Sequence, residues 1–118
     1  MSFKLLRMPK EPLQIEDLSD HPNGKRVLRL SGPLIISNLF EFQSLVRTNV
    51  LPRLVLDLTN VPYIDSAGIG ALVGAYVSHQ KEGRSLVMVG VNDRVRGSLQ
   101  VTRVEHFFSF FSSADEVA

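Results

Sequence analysis

An apolar run at 53–58, the polar turn Asp65-Ser66-Ala67-Gly68-Ile69-Gly70 and the periodic segment after it constrain the chain most. The run Arg53-Leu54-Val55-Leu56-Asp57-Leu58 is short, branched and largely apolar, as expected of a central strand buried on both faces. From the turn onward, Ile69, Leu72, Val73, Tyr76 and Val77 follow the i, i+3, i+4, i+7, i+8 spacing of one helical stripe. This predicts a helix over 66–82 with that stripe toward the core. Gly83 stands where a helix-ending glycine is expected, and 85–90 reads as another buried strand. Strand, helix and strand in this order require a parallel crossover.

The remaining segments fit around that unit. Leu13-Gln14-Ile15-Glu16 alternates like a half-buried strand, and His21-Pro22-Asn23-Gly24 carries turn chemistry. A second arm, Arg26-Val27-Leu28-Arg29-Leu30, completes a hairpin and ends at Ser31-Gly32-Pro33. Leu39, Phe40, Phe42, Leu45 and Val46 then predict a helix over 37–48 with Ser37 or Asn38 as N-cap. A weaker helix is expected over 93–102, containing Val95, Leu99 and Val101. The run 107–111 reads as a last strand, and Ser113-Ala114-Asp115-Glu116 as a capping box opening a short terminal helix. These elements predict one α/β domain over 1–118, with a mixed central sheet of about four to five strands and helices packed on it.

Composition removes several function classes. The 118 residues carry 13 Lys plus Arg against 12 Asp plus Glu, without the basic excess expected of a direct nucleic-acid binder. There is no cysteine, which excludes disulfides and thiolate metal sites and suits the cytoplasm. No His, Asp or Glu cluster has metal-ligand spacing, so neither metal nor cofactor is expected. Apolar runs stop well short of the ~20 residues a membrane span needs, which predicts no membrane insertion.

Ser66 is the residue with the most chemistry open to it. A serine at a helix start can cap the unpaired N–H groups of the first turn, or carry a phosphate near the positive end of the macrodipole. Phosphorylation would add about −1.5 to −2 charge beside Asp65 and favour breaking an interface over making one. A hydrolase needs a base for Ser66. His79 lies about 20 Å away if the helix is continuous, at 1.5 Å per residue, while His21 sits in a turn and His106 beside a Phe-rich strand. Gly68, Gly70 and Gly74 follow a GxGxxxG spacing that lacks the partners of a phosphate-binding loop; small residues for helix packing explain them better. Gly70 and Gly74, with Ala67, Ala71 and Ala75, leave a smooth helix surface that a partner backbone can approach. Arg94, Arg96 and Arg103, and Lys81 with Arg84, read as solvated faces. The four phenylalanines at 107, 108, 110 and 111 exceed what one sheet face buries, leaving a homodimer contact open. No enzymatic activity and no catalytic residue are expected.

The stretch Val55-Leu56-Asp57-Leu58-Thr59-Asn60-Val61-Pro62-Tyr63-Ile64-Asp65-Ser66-Ala67-Gly68-Ile69-Gly70-Ala71-Leu72 resembles the signature of STAS domains, the sulfate transporter and anti-sigma factor antagonist family. The resemblance extends to the Arg29–Gly32 strand end, the 86–90 strand and the Leu99–Thr102 segment. It implies an anti-sigma factor antagonist whose unmodified form binds an anti-sigma factor with serine kinase activity and so releases a sigma factor. It also implies Ser66 as phosphoacceptor, with binding lost on phosphorylation and restored by a serine phosphatase. The implied contact residues are Asp65, Ser66, Ala67, Gly68 and Ile69 together with Pro33, Ile35, Ser37 and Asn38; Ile35 stands where many relatives have an acid. The alternative is a scaffold or accessory subunit of a signalling or lipid-transport complex, in which Ser66 only caps the helix.

Overall fold

The computed structural model describes residues 12–18 and 24–117. Its five strands are β1 (Gln14–Asp17), β2 (Lys25–Ser31), β3 (Arg53–Asn60), β4 (Ser85–Val89) and β5 (Phe110–Phe111), and they lie in the sheet in chain order. β1 pairs antiparallel with β2, while β2, β3, β4 and β5 run parallel. The parallel links carry α1 (Phe40–Arg47), α2 (Ser66–Lys81) and α3 (Asp93–Val101). The sheet is mixed and five-stranded, as the strand and helix periods require. Of the predicted hairpin turn over 21–24, residues 21–23 lie outside the described residues, and Gly24 stands at φ +67° at the start of the second arm.

Strand alternation assigns the two faces. Leu28, Leu56 and Met88 stand in register, as do Leu54 and Leu86, and all belong to one core with Phe42, Val46, Leu72, Ala75, Val95 and Leu99 from the helices. Successive crossovers of one hand, each adding a strand on the same side, place every helix on that face. On the opposite face Val27, Val55 and Val89 are covered by Val117. Lys25 Nζ fixes this cover by donating to the carbonyls of Ala114 and Val117, at 3.2 and 3.3 Å.

Several boundaries differ from the sequence expectation. The segment before α1 is a 3-10 turn over Ile36–Asn38, and the α1 N-cap is Leu39 with no side-chain bond, rather than Ser37 or Asn38. Asn38 is already engaged: its Oδ1 accepts from the Ile35 N–H and its Nδ2 donates to the Pro33 carbonyl. Phe40 and Val101, both counted in apolar stripes, are exposed. In α2 the buried positions are Gly68, Leu72, Ala75 and His79; Ile69, Val73 and Tyr76 flank them, and Val77 is exposed. The core-facing line runs through small residues because the helix lies close to its neighbours. At Gly68 an added Cβ would stand 2.1 Å from the Leu34 carbonyl oxygen. Gly83, at φ +71°, ends α2 as expected, and its N–H donates to the Gln80 carbonyl.

The last strand is only Phe110–Phe111; Phe107 sits in a 3-10 turn over Glu105–Phe107. The chain turns there because the aromatics serve a side-chain cluster, in which Phe107 and Phe108 pack on Tyr76 and Arg96 lies 3.9 Å over Phe110. The terminal element is a single 3-10 turn over Ala114–Glu116, in which Glu116 Oε1 reaches back to the N–H of Ser112.

Candidate functional site

The signature turn leaves β3 at the end of the sheet where α2 begins, and there it meets the segment that follows β2. Leu34 and Ile64 form a parallel bridge between the two segments. The Leu34 N–H donates to the Tyr63 carbonyl and the Asp65 N–H donates to the Leu34 carbonyl, each at 3.2 Å. Gly68 completes the junction, since only a residue without Cβ lets the first turn of α2 rest on Leu34.

Asp65, not Ser66, is the N-cap of α2. Its backbone is extended, with φ −102° and ψ −176°, and its Oδ1 accepts from the Gly68 N–H at 2.8 Å. Aspartate and serine are comparably good caps. The carboxylate prevails because it also reaches the neighbouring segment: Oδ2 accepts from the Ile36 N–H at 3.0 Å. Ser66 is therefore the first helical residue, exposed, and among the described residues its hydroxyl takes no hydrogen-bond partner. The alternative reading of Ser66 as the helix cap does not match this geometry, in which Asp65 holds the cap.

The residues nominated from sequence gather at this junction with unequal exposure. Ser66 and Ser37 are exposed; Ile35, Asn38, Asp65, Ala67 and Ile69 are half-buried; Pro33 and Gly68 are buried. Ile36, inside the 33–38 contact stretch but not singled out from sequence, is 74% exposed beside Asp65, and Phe40, counted from sequence in the α1 stripe, is 80% exposed one turn later. Period alone could not show their exposure, because a 3-10 turn and the start of α1 break the phase between Leu34 and Phe42. A signal did exist, in that the run Leu34-Ile35-Ile36 holds more apolar residues than a tight turn can bury. On the other side of the junction, Arg94 from α3 stacks over the Tyr63 ring at 4.9 Å.

From Ile36 and Ala67 a groove of about 620 Å³ runs between α1 and α2, lined further along by Phe42, Val46, Ala71 and Gly74. Its far end is lined by His79, Glu82 and Arg84, and His79 Nε2 lies 2.9 Å from Asn49 Nδ2. Gly70 and Gly74 have open space where a Cβ would stand, whereas Gly68 is filled by Leu34; these glycines form no phosphate cradle. α2 is continuous from Ser66 to Lys81, so His79 is remote from Ser66. His106 stacks on Phe107 with ring centres 4.4 Å apart. Among the described residues no group of three or more His, Cys, Asp or Glu side chains could hold a metal ion, and no helix is long and apolar enough to cross a membrane.

Comparison with known proteins places this arrangement. Over 94 residues, 76% of this chain and 79% of the relative, the sequence is 30% identical to the anti-sigma F factor antagonist of Paenibacillus polymyxa. A shorter match, 41% identical over 47 residues, is to the anti-sigma-B factor antagonist of Listeria monocytogenes; it spans 40% of this chain and only 41% of that protein. Among solved structures, an anti-sigma factor antagonist from Mycobacterium paratuberculosis superposes with a TM-score of 0.76 at 20% identity, covering 88% of this chain and 89% of that one. The antagonist SpoIIAA in its unphosphorylated form gives 0.69 at 14% identity, covering 89% and 92%. At these identities the superpositions show a shared fold. The family model for the STAS domain matches residues 17–117, which include every strand from β2 onward and the whole Ser66 junction, and the chain belongs to the STAS domain family.

Proposed function

We propose that this chain is an anti-sigma factor antagonist that works as a phosphorylation-controlled binding module. The carrying observation is the state of Ser66: Asp65 has taken the helix cap, leaving the serine hydroxyl exposed and unengaged at the first helical position. The names of the Paenibacillus and Listeria relatives support the partner class. In the unmodified state the partner, an anti-sigma factor with serine kinase activity, docks over Ser66, Ala67, Ile69 and the exposed part of the 33–38 turn, releasing its sigma factor. Asp65, Pro33, Gly68 and Asn38 hold that surface in place from beneath. Ile35 and Ile36 make the turn apolar where an acid would make it charged.

Phosphorylation is then transfer of the γ-phosphoryl group of ATP to Ser66 Oγ. The new P–O bond forms as the bond to ADP breaks, and the hydroxyl proton leaves to a base on the kinase. The dianion sits beside Asp65 on a surface that must be desolvated for docking, so binding is lost. A serine phosphatase restores it. No step uses a catalytic group of this chain, and the protein acts where a soluble transcription apparatus is present.

The test is incubation with ATP and each candidate anti-sigma kinase of the same organism, followed by intact-mass measurement and site mapping. One phosphate, on Ser66, with tight binding by Ser66→Ala and weak binding by Ser66→Asp, is the expected result. A stable complex in which Ser66 is never modified, and in which both variants bind alike, would replace the switch with a constitutive scaffold role.

A further inference from the structure

Asp65 makes two bonds that belong to different parts of the molecule. Oδ1 accepts from Gly68 in α2, and Oδ2 accepts from Ile36 in the turn after β2, 29 residues earlier in the chain. That turn is otherwise held by the Leu34–Ile64 bridge on one side and by the closed Asn38 loop on the other. Ile36 lies between these two anchors, and of the described contacts the Asp65 bond is the one that fastens its backbone to α2. Any charge arriving on Ser66 arrives at the next residue in the chain.

We propose that Asp65 is a positioning residue that couples the charge state of Ser66 to the 33–38 turn; this rests on the reading of Ser66 as a phosphoacceptor. A phosphate on Ser66 repels the adjacent carboxylate and competes with it for the first-turn N–H groups of α2. The carboxylate cannot keep both bonds while turning from the new charge. The bond it gives up is the outward one to Ile36, because the Gly68 bond lies within the buried junction. Phosphorylation therefore acts twice, by adding charge to the docking surface and by releasing the exposed apolar residue presented there.

The coupling is read on this chain alone, and partner binding is measured beside it only to separate the coupling from the reading of Ser66. Phosphoserine is introduced at position 66 during translation, and the backbone of Ile36 is followed by amide hydrogen exchange and ¹⁵N relaxation, beside the unmodified chain and Asp65→Asn. An amide side chain can serve only one of the two donors, so Asp65→Asn separates the cap from the tether; far-UV circular dichroism reports whether α2 is kept. Expected are exchange at Ile36 about tenfold faster in both altered chains, and an order parameter falling from roughly 0.85 toward 0.6. If Asp65→Asn frees Ile36 but phosphoserine does not, the coupling is overturned while phosphate-controlled docking stands. If neither frees it, Asp65 is no tether and the proposal fails. If phosphoserine frees Ile36 yet the phosphorylated chain still binds its partner, the coupling holds and the reading of Ser66 as a binding switch is the one that fails.

Discussion

The Leu34 carbonyl oxygen occupies the place where a side chain at Gly68 would begin, 2.1 Å from the ideal Cβ position, and the carbonyl carbon lies 3.0 Å away. Both are backbone atoms already committed to the junction, since the same carbonyl accepts the Asp65 N–H. Gly68→Ala is therefore expected to destabilise the protein by about 1–3 kcal/mol, the usual range for overpacking, although alanine is the better helix former. Gly74→Ala on the same helix meets nothing within 4 Å and should stabilise by up to about 1 kcal/mol. Urea unfolding of the two variants checks this, and equal shifts of one sign would refute the close approach.

Asp57 sits on the opposite face of the sheet from the helices and gives the stability a dependence on acid. Burial alone would push its carboxyl up, but the Thr59 hydroxyl and N–H, donating to Oδ1 at 2.6 and 3.0 Å, and Arg29 Nε at 3.2 Å from Oδ2 together hold it below its ordinary value. A carboxyl whose pKa is lower folded than unfolded stabilises the fold above its unfolded value, near 3.9. That contribution is lost as pH falls through the lower folded value. Unfolding free energy should thus decline from about pH 5 downward, and Asp57→Asn should flatten part of that decline. At neutral pH the same substitution should cost about 2 kcal/mol, the scale of hydrogen bonds to a charged group.

The strands and the crossover were legible because their signal is periodic, and period survives packing. Alternation across 13–16 follows from an edge strand covered on one face, and the branched run at 53–58 from a central strand buried on both. What period could not reveal was hydrogen-bond competition between adjacent residues. Asp65 and Ser66 are both good caps, and only the position of Ile36, set by the Leu34–Ile64 bridge, decides for the carboxylate. The core line of α2 was misplaced for a related reason. Hydrophobicity weights Val77 above Gly68 and Ala75, yet close approach selects the small residues for the interior. The last strand was overestimated because Phe107 and Phe108 contribute rings to Tyr76 instead of backbone to the sheet.

His79 lines the far end of the groove between α1 and α2 and meets Asn49 there, and both are buried. The Ala75 carbonyl lies 2.9 Å from His79 Nδ1 and can only accept, so Nδ1 carries the proton and Nε2 accepts from the Asn49 amide. Asn49 also exchanges two bonds with the backbone of Leu51. Asn49→Ala leaves these groups buried and unpaired, at an expected cost of about 1–3 kcal/mol or somewhat more. His79→Leu combined with Asn49→Leu removes both partners of the histidine bond, so the pair should cost less than the two single changes added together. A double-mutant cycle by chemical denaturation measures this, and strict additivity would mean the histidine bond contributes nothing.

Ile36 and Phe40 supply the last expectation, because their exposure separates binding from folding. At 74% and 80% exposed they contribute little to the core, so Ile36→Asp and Phe40→Ser should each change unfolding free energy by no more than about 0.5 kcal/mol. A docking surface owes most of its affinity to a few large residues shielded from water on binding. If the partner seats over Ser66 and the 33–38 turn, Ile36→Asp buries a charge without a counterpart, and affinity for the anti-sigma factor should fall at least about tenfold, or 1.4 kcal/mol. Phe40 lies one turn further from Ser66 along α1, so its loss measures how far the contact extends toward the groove. Calorimetric titration of both variants, with stability measured in parallel, gives the answer. Full affinity in Ile36→Asp would remove the turn from the interface and leave the start of α2 as the whole of it.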